Sequence, residues 1–212
     1  MKTCKAAVDA GLGTTLLLSE NGQTPLTQAV KNRHFEIVEL LLKNGTNPND
    51  TNKESETPLL IAAAKMNFKL CNLLISYGAS VDQRSKNGST PLMEAAHAGQ
   101  SESAYKIVQL LIEKGADVNA KNSEDDTVLH KAIPCSRKIL DLLLSKRPSF
   151  NAVNKKGWTP LMVAFSTSSS GNAGQLLEAG ADFYAGKQSS SRFATLEVGK
   201  YLHRKGYHFS FH

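Results

Sequence analysis

A chain of 212 residues that is 41% hydrophobic has enough apolar material for a core, yet no apolar run approaches the ~18 residues a membrane span requires. The net charge of +6 is concentrated in residues 184–212, where Lys187, Arg192, Lys200, Arg204 and Lys205 stand against Glu197 alone. The remainder carries about +2, which excludes a continuous basic track for nucleic acid along most of the chain. Three cysteines, Cys4, Cys71 and Cys135, are odd in number and far apart, so a reducing intracellular compartment is expected, not a disulfide framework.

In chain order, residues 1–14 read as a degenerate capping helix carrying Cys4, Ala6, Ala7 and Val8, before a first turn at 17–23. No secretory h-region with a small-residue cleavage site is expected there. Thr24-Pro25-Leu26 then opens a short helix: threonine accepts from an orphan backbone N–H, and proline suits the first helical position, where its missing N–H costs nothing. A second helix follows, with Ile37, Val38, Leu40, Leu41 and Leu42 at helical spacing, and Gly45 stops it in the left-handed conformation.

The same phrase returns at Thr57-Pro58-Leu59, Thr90-Pro91-Leu92 and Thr159-Pro160-Leu161, and weakened at Thr127-Val128-Leu129, giving intervals of 33, 33, 37 and 32 residues. Gly78, Gly115 and Gly180 keep step with Gly45. Cys71 falls where Val38 and Val108 stand, so it reads as a small buried hydrophobe. The third unit holds four extra residues, placed between its helices within 99–104. The fourth is irregular: Val128 replaces proline, Pro134 ends the first helix early, and Arg147-Pro148 replaces Gly-Ala. The fifth has Asn172, Ala173 and Gln175 where the first has Ile37, Val38 and Leu40, and it carries Gly174 inside the helix, so it is expected to be the loosest. The basic tail, mixed with Phe193, Tyr201, Leu202 and Tyr207, reads as a capping helix over 195–205, with nucleic-acid or anionic-membrane binding as the alternative.

A period near 33 with a Thr-Pro-Leu signature resembles the ankyrin-repeat family over roughly residues 15–184. The resemblance implies an all-α solenoid of stacked helix-turn-helix units with hairpin-like fingers and degenerate terminal caps. The whole chain is expected to be a single domain, with caps at 1–23 and 185–212 and repeats starting near 24, 57, 90, 127 and 159.

Catalytic signatures were sought in the residues. There is no glycine-rich phosphate loop after a strand, no paired-cysteine metal spacing and no nucleophile elbow. His130 and Cys135 are close enough in sequence to suggest a base and a nucleophile. The resemblance instead makes His130 a structural residue that hydrogen-bonds between fingers. His203, His208 and His212 are the other candidate ligands, in a segment expected to fray. No enzyme, cofactor, metal or small-molecule substrate is expected, although an enzyme with an unrecognised site remains an alternative.

What the resemblance implies is a protein partner on the concave face, bound by a chain monomeric on its own. Carried over by position, the residues before each signature threonine are Gln23, Glu56, Ser89, Asp126 and Trp158. Finger tips add Glu20, Asn21, Lys53, Glu54, Lys86, Asn87, Ser123, Glu124, Lys155 and Lys156. First-helix ends add Lys31, Asn32, Ala64, Lys65, His97 and Ala98. Docking is expected across fingers three to five, with Trp158 as the candidate hot spot and Asp126 beside it. Asn119, after Asp117-Val118 and eight residues beyond Leu111, is a candidate for asparaginyl hydroxylation on the same resemblance. A cytoplasmic adaptor, complex subunit or effector is the expected role, with the nucleus or a host cytosol as other sites.

Overall fold

The computed structural model describes residues 22–133, 135–167, 169–182 and 185. The two expected caps, Cys4, Glu20, Asn21, Pro134 and the histidines at 203, 208 and 212 lie outside the described residues. The described residues form ten helices and no strand, so the fold is all-α. The chain divides into two compact units, Met1–Asp117 and Val118–His212.

The first unit holds three helix pairs: α1 (Pro25–Lys31) with α2 (Phe35–Lys43), α3 (Pro58–Ala64) with α4 (Phe68–Ser76), and α5 (Pro91–His97) with α6 (Glu102–Glu113). The second unit holds two: α7 (Val128–Lys131) with α8 (Arg137–Leu144), and α9 (Pro160–Ser166) with α10 (Ser170–Glu178). Within each unit first helices pack on first helices, as α1, α3 and α5 do. A seven-residue helix is too short to persist alone in water. Here each is held by its cap and by its neighbours.

The caps follow from the repeated threonine. Thr57, Thr90 and Thr159 accept from the backbone N–H of Leu60, Met93 and Met162 at 3.1, 3.3 and 3.3 Å. Thr24 and Thr27 cap each other reciprocally, at 3.1 and 2.8 Å. The leucine two residues after each threonine (26, 59, 92, 129 and 161) is buried, as are Val38, Cys71 and Val108 on the second helices. Cys71 is the small buried hydrophobe its position implied, and burial pushes its thiol pKa up to about 12.

Two expectations change. Of the four extra residues of the third repeat, three extend the second helix, since α6 has 12 residues where α2 and α4 have nine, and only one lengthens the linker between helices. Ser101 caps the added turn by accepting from Ala104 N–H at 3.1 Å, so the longer helix is a properly started one. In the fifth repeat, the two polar substitutions fall at positions that are not fully buried in the first repeat, although Gln175 itself is buried. Leu40, the counterpart of Gln175, is 37% exposed, and Ile37, the counterpart of Asn172, is only half-buried. The core positions of α10 are Ala173 and Leu176, both fully buried.

The fourth repeat is as irregular as expected. Helix α7 is four residues long and closes with Ala132 N–H on Val128 O at 2.8 Å. Arg147 takes the left-handed conformation (φ 50°) that Gly45, Gly78, Gly115 and Gly180 take in the other repeats.

Candidate protein-binding surface

Between repeats the chain runs out into fingers, and a side-chain amide staples most of them shut. Asn52 Oδ1 accepts from Glu54 and Glu56 N–H at 3.0 and 2.9 Å, and Asn122 Oδ1 from Glu124 and Asp126 N–H at 2.9 Å each. Asn154 does the same with Lys156 and Trp158, at 3.0 Å each. The carbonyl of the residue before each threonine closes the turn, accepting from Asn52, Ser85, Asn122 or Asn154 N–H. Neighbouring fingers within a unit share a backbone bond: Lys53 N–H to Gly22 O, Lys86 N–H to Glu54 O, and Lys155 N–H to Glu124 O. The fingers are therefore rigid mounts for their side chains.

In the first unit, Lys53, Lys86 and His97 are exposed, whereas Gln23 and Glu56 are half-buried. Glu56 Oε2 accepts from Asn52 Nδ2 at 2.7 Å, which commits that carboxylate to the finger itself. Lys86 Nζ lies 3.9 Å from Glu54 Oε2, an exposed pair of little energetic weight. Ser89 is 2% exposed, so its side chain is buried where Lys86 is exposed.

In the second unit, Glu124, Lys155 and Lys156 are exposed, and Asp126 and Trp158 are half-buried. Asp126 Oδ1 accepts from Asn154 Nδ2 at 2.7 Å, joining fingers four and five through a charge-assisted bond. The main chain of Trp158 is fixed on both sides, its N–H by Asn154 and its carbonyl by Asn154 N–H and His130 Nε2, each at 3.0 Å. Its indole N–H makes no hydrogen bond among the described residues. Trp158 is thus a half-buried aromatic on a fixed backbone, in a finger that also carries the exposed Lys155 and Lys156.

His130 is held within the fold by its ring hydrogen bonds. Its Nδ1 accepts from Thr127 N–H at 3.1 Å, which leaves Nε2 to carry the proton donated to Trp158 O. Both ring nitrogens are thereby used. Burial holds its pKa below the usual 6.5, against the hydrogen bond to Trp158 and the charge of Asp126. Burial likewise pushes the Cys135 thiol up to about 12, far from a thiolate nucleophile. Among the described residues, no group of three or more His, Cys, Asp or Glu is arranged to hold a metal ion. No helix among them is long and apolar enough to cross a membrane.

Asn119 is exposed, and its Oδ1 accepts from Ser149 N–H at 2.8 Å. Asn49, Asp82 and Asn151 hold the N–H groups of Ser80, Asp117 and Asp182 in the same way. The position is a recurring inter-repeat brace. Its periodicity was visible in the sequence, although the bond it makes was not.

A family model described as ankyrin repeats (3 copies) matches residues 44–122 and 101–186, and a second, ankyrin repeat, matches residues 21–53. The chain belongs to the ankyrin-repeat family. No curated protein matches it. Ankyrin repeats generally serve as protein–protein interaction modules. Sequence reasoning missed Asn154 and Asn172 in this ankyrin-repeat chain. Asn154 was legible in principle, since it follows the threonine period together with Asn52 and Asn122.

Proposed function

We propose that this ankyrin-repeat protein is a non-catalytic binding module whose protein partner docks on fingers four and five, with Trp158 and Asp126 at the centre and Glu124, Lys155 and Lys156 around them. What supports this is the placing of Trp158: a partly exposed aromatic on a backbone held by three hydrogen bonds loses little freedom on binding, and such aromatics carry much of the energy of interfaces. The mixed signs of Glu124, Asp126, Lys155 and Lys156 suit a partner surface of mixed charge, as opposed to a polyanion.

The test has two stages. Affinity purification with mass spectrometry supplies a partner, and the purified pair is then titrated. Trp158→Ala should cost about 2 kcal/mol or more in binding while helical content is retained. Gln23→Ala, in the other unit, should cost much less. The location is wrong if Gln23→Ala weakens binding as much, or if Trp158→Ala lowers stability as much as affinity.

A further inference from the structure

The departures of repeats four and five from the repeat pattern match each other. Helix α7 has only four residues, and the bend that follows leaves the carbonyls of Ile133 and Cys135 outside regular helical bonding, before α8 starts at Arg137. Two carboxamides from α10 reach this region. Asn172 Nδ2 donates to Ile133 O and, at 3.4 Å, to Cys135 O. Gln175 Nε2, on a residue 4% exposed, donates to Arg137 O at 3.3 Å and to Asp141 Oδ1 at 2.5 Å. At the rim Arg137 lies 3.8 Å from Asp141 and 4.0 Å from Glu178. Where repeat one has Ile37 and Leu40, repeat five has two amides, one meeting the bend after the shortened helix and one meeting the start of α8.

Helix α7 also carries His130. One turn cannot hold its own position, since nucleation fixes several residues for a single bond. Its first turn is fastened by the Thr127–His130 bonds, and its far end by Asn172. Between the two fastenings stands the Nε2–H that donates to Trp158 O.

We propose that Asn172 and Gln175 are positioning residues for the finger-five surface: Asn172, by bonding the bend after α7, and Gln175, by tying α10 to the first turn of α8 that the bend leads into, together hold His130, and through it the main chain at Trp158. The relevance of this brace to binding rests on the surface proposed above, but the brace is testable without a partner. Trp158 is the one tryptophan of the chain, so its emission reports the site directly.

In the full chain, Asn172→Ala with Gln175→Ala should red-shift Trp158 emission in native buffer and raise its acrylamide quenching constant by about twofold, because a loosened mount opens more often. His130→Ala should give a similar change, and adding it to the double variant should add little, as expected for residues acting in one chain of contacts. Val30→Ala in α1 removes buried apolar volume from the other unit and should leave emission and quenching unchanged. Unchanged emission and quenching in a folded double variant would overturn the proposal, as would an equal change in Val30→Ala. If the double variant does not fold, native-state hydrogen exchange of the wild type decides. Amides at 128–133 should open together with those at 170–178, and amides at 128–133 that stay closed while α10 opens would refute the brace. A Trp158→Ala that leaves partner binding intact would remove the surface and leave the brace standing.

Discussion

At Gly22, Ser55, Gly88, Asp125 and Gly157 the backbone is left-handed, with φ between 57° and 75°, two residues before each signature threonine. The finger turn demands that conformation at every repeat. Glycine meets it without a Cβ clash; Ser55 and Asp125 do not, and Arg147 bears the same strain at the end of α8. Ser55→Gly should therefore raise stability by about 0.5–1 kcal/mol, read as a higher urea midpoint, with a smaller gain for Asp125→Gly because aspartate tolerates this region better. A fall in midpoint would show that the serine side chain contributes more than the strain costs. His130 supplies a second expectation at this scale. It is neutral in the fold and its pKa is depressed, so the unfolded chain takes up a proton near 6.5 while the folded chain does not. Stability should then fall as pH drops below about 6.5, and His130→Gln should lack that component when urea midpoints at pH 7.5 and pH 5 are compared.

Among the elements, α10 differs most from its counterparts. It buries Ala173 where α2 buries Val38, it contains Gly171 and Gly174, and its first residue follows a serine that makes no side-chain cap bond. Two methylene-equivalents of lost burial amount to about 1.5 kcal/mol, and a glycine in a helix interior to about 1 kcal/mol. The amide bonds of Asn172 and Gln175 offset part of this at about 1 kcal/mol each. Amides at 166–178 should accordingly exchange faster than those at 35–43, by about tenfold or more. Equal protection would mean that the polar bonds compensate in full. The longer α6 tells the opposite story: its added turn brings the capping residue Ser101 and the buried Ala104, so extra length there is stabilised locally.

At the scale of the whole molecule, each unit's stability is set mainly by contacts between adjacent repeats. The first unit contains three repeats with intact signatures; the second contains the shortened α7 and the weakly packed α10. Unfolding should then depart from a single transition. Trp158 lies in the second unit, so the urea midpoint followed by its fluorescence should fall below the midpoint followed by far-UV circular dichroism. Coincident curves would mean that the two units melt as one.

Much of this protein was legible before any coordinates. The threonine period placed every first helix, since a cap, a proline at the first position and a buried leucine are local requirements that one residue type each satisfies. The glycine period placed the ends of four of the five second helices, and even Arg147 was marked as an occupant of a glycine position. Local chemistry repeats, so it can be read by comparing the chain with itself. Contacts made across repeats could not be read this way. Ser89 stood in the same column as Trp158, yet Ser89 is buried and Trp158 only half-buried, because exposure depends on the surrounding packing and not on the position in the repeat. Asn172 and Gln175 read as losses of core, and only the tertiary structure showed that their amides meet carbonyls 37 to 39 residues earlier, those of Ile133 and Cys135 around the bend after α7 and that of Arg137 at the start of α8. A hydrogen bond needs its partner's position as well as its own chemistry, and that position is set by how two repeats pack, which no single stretch of sequence encodes.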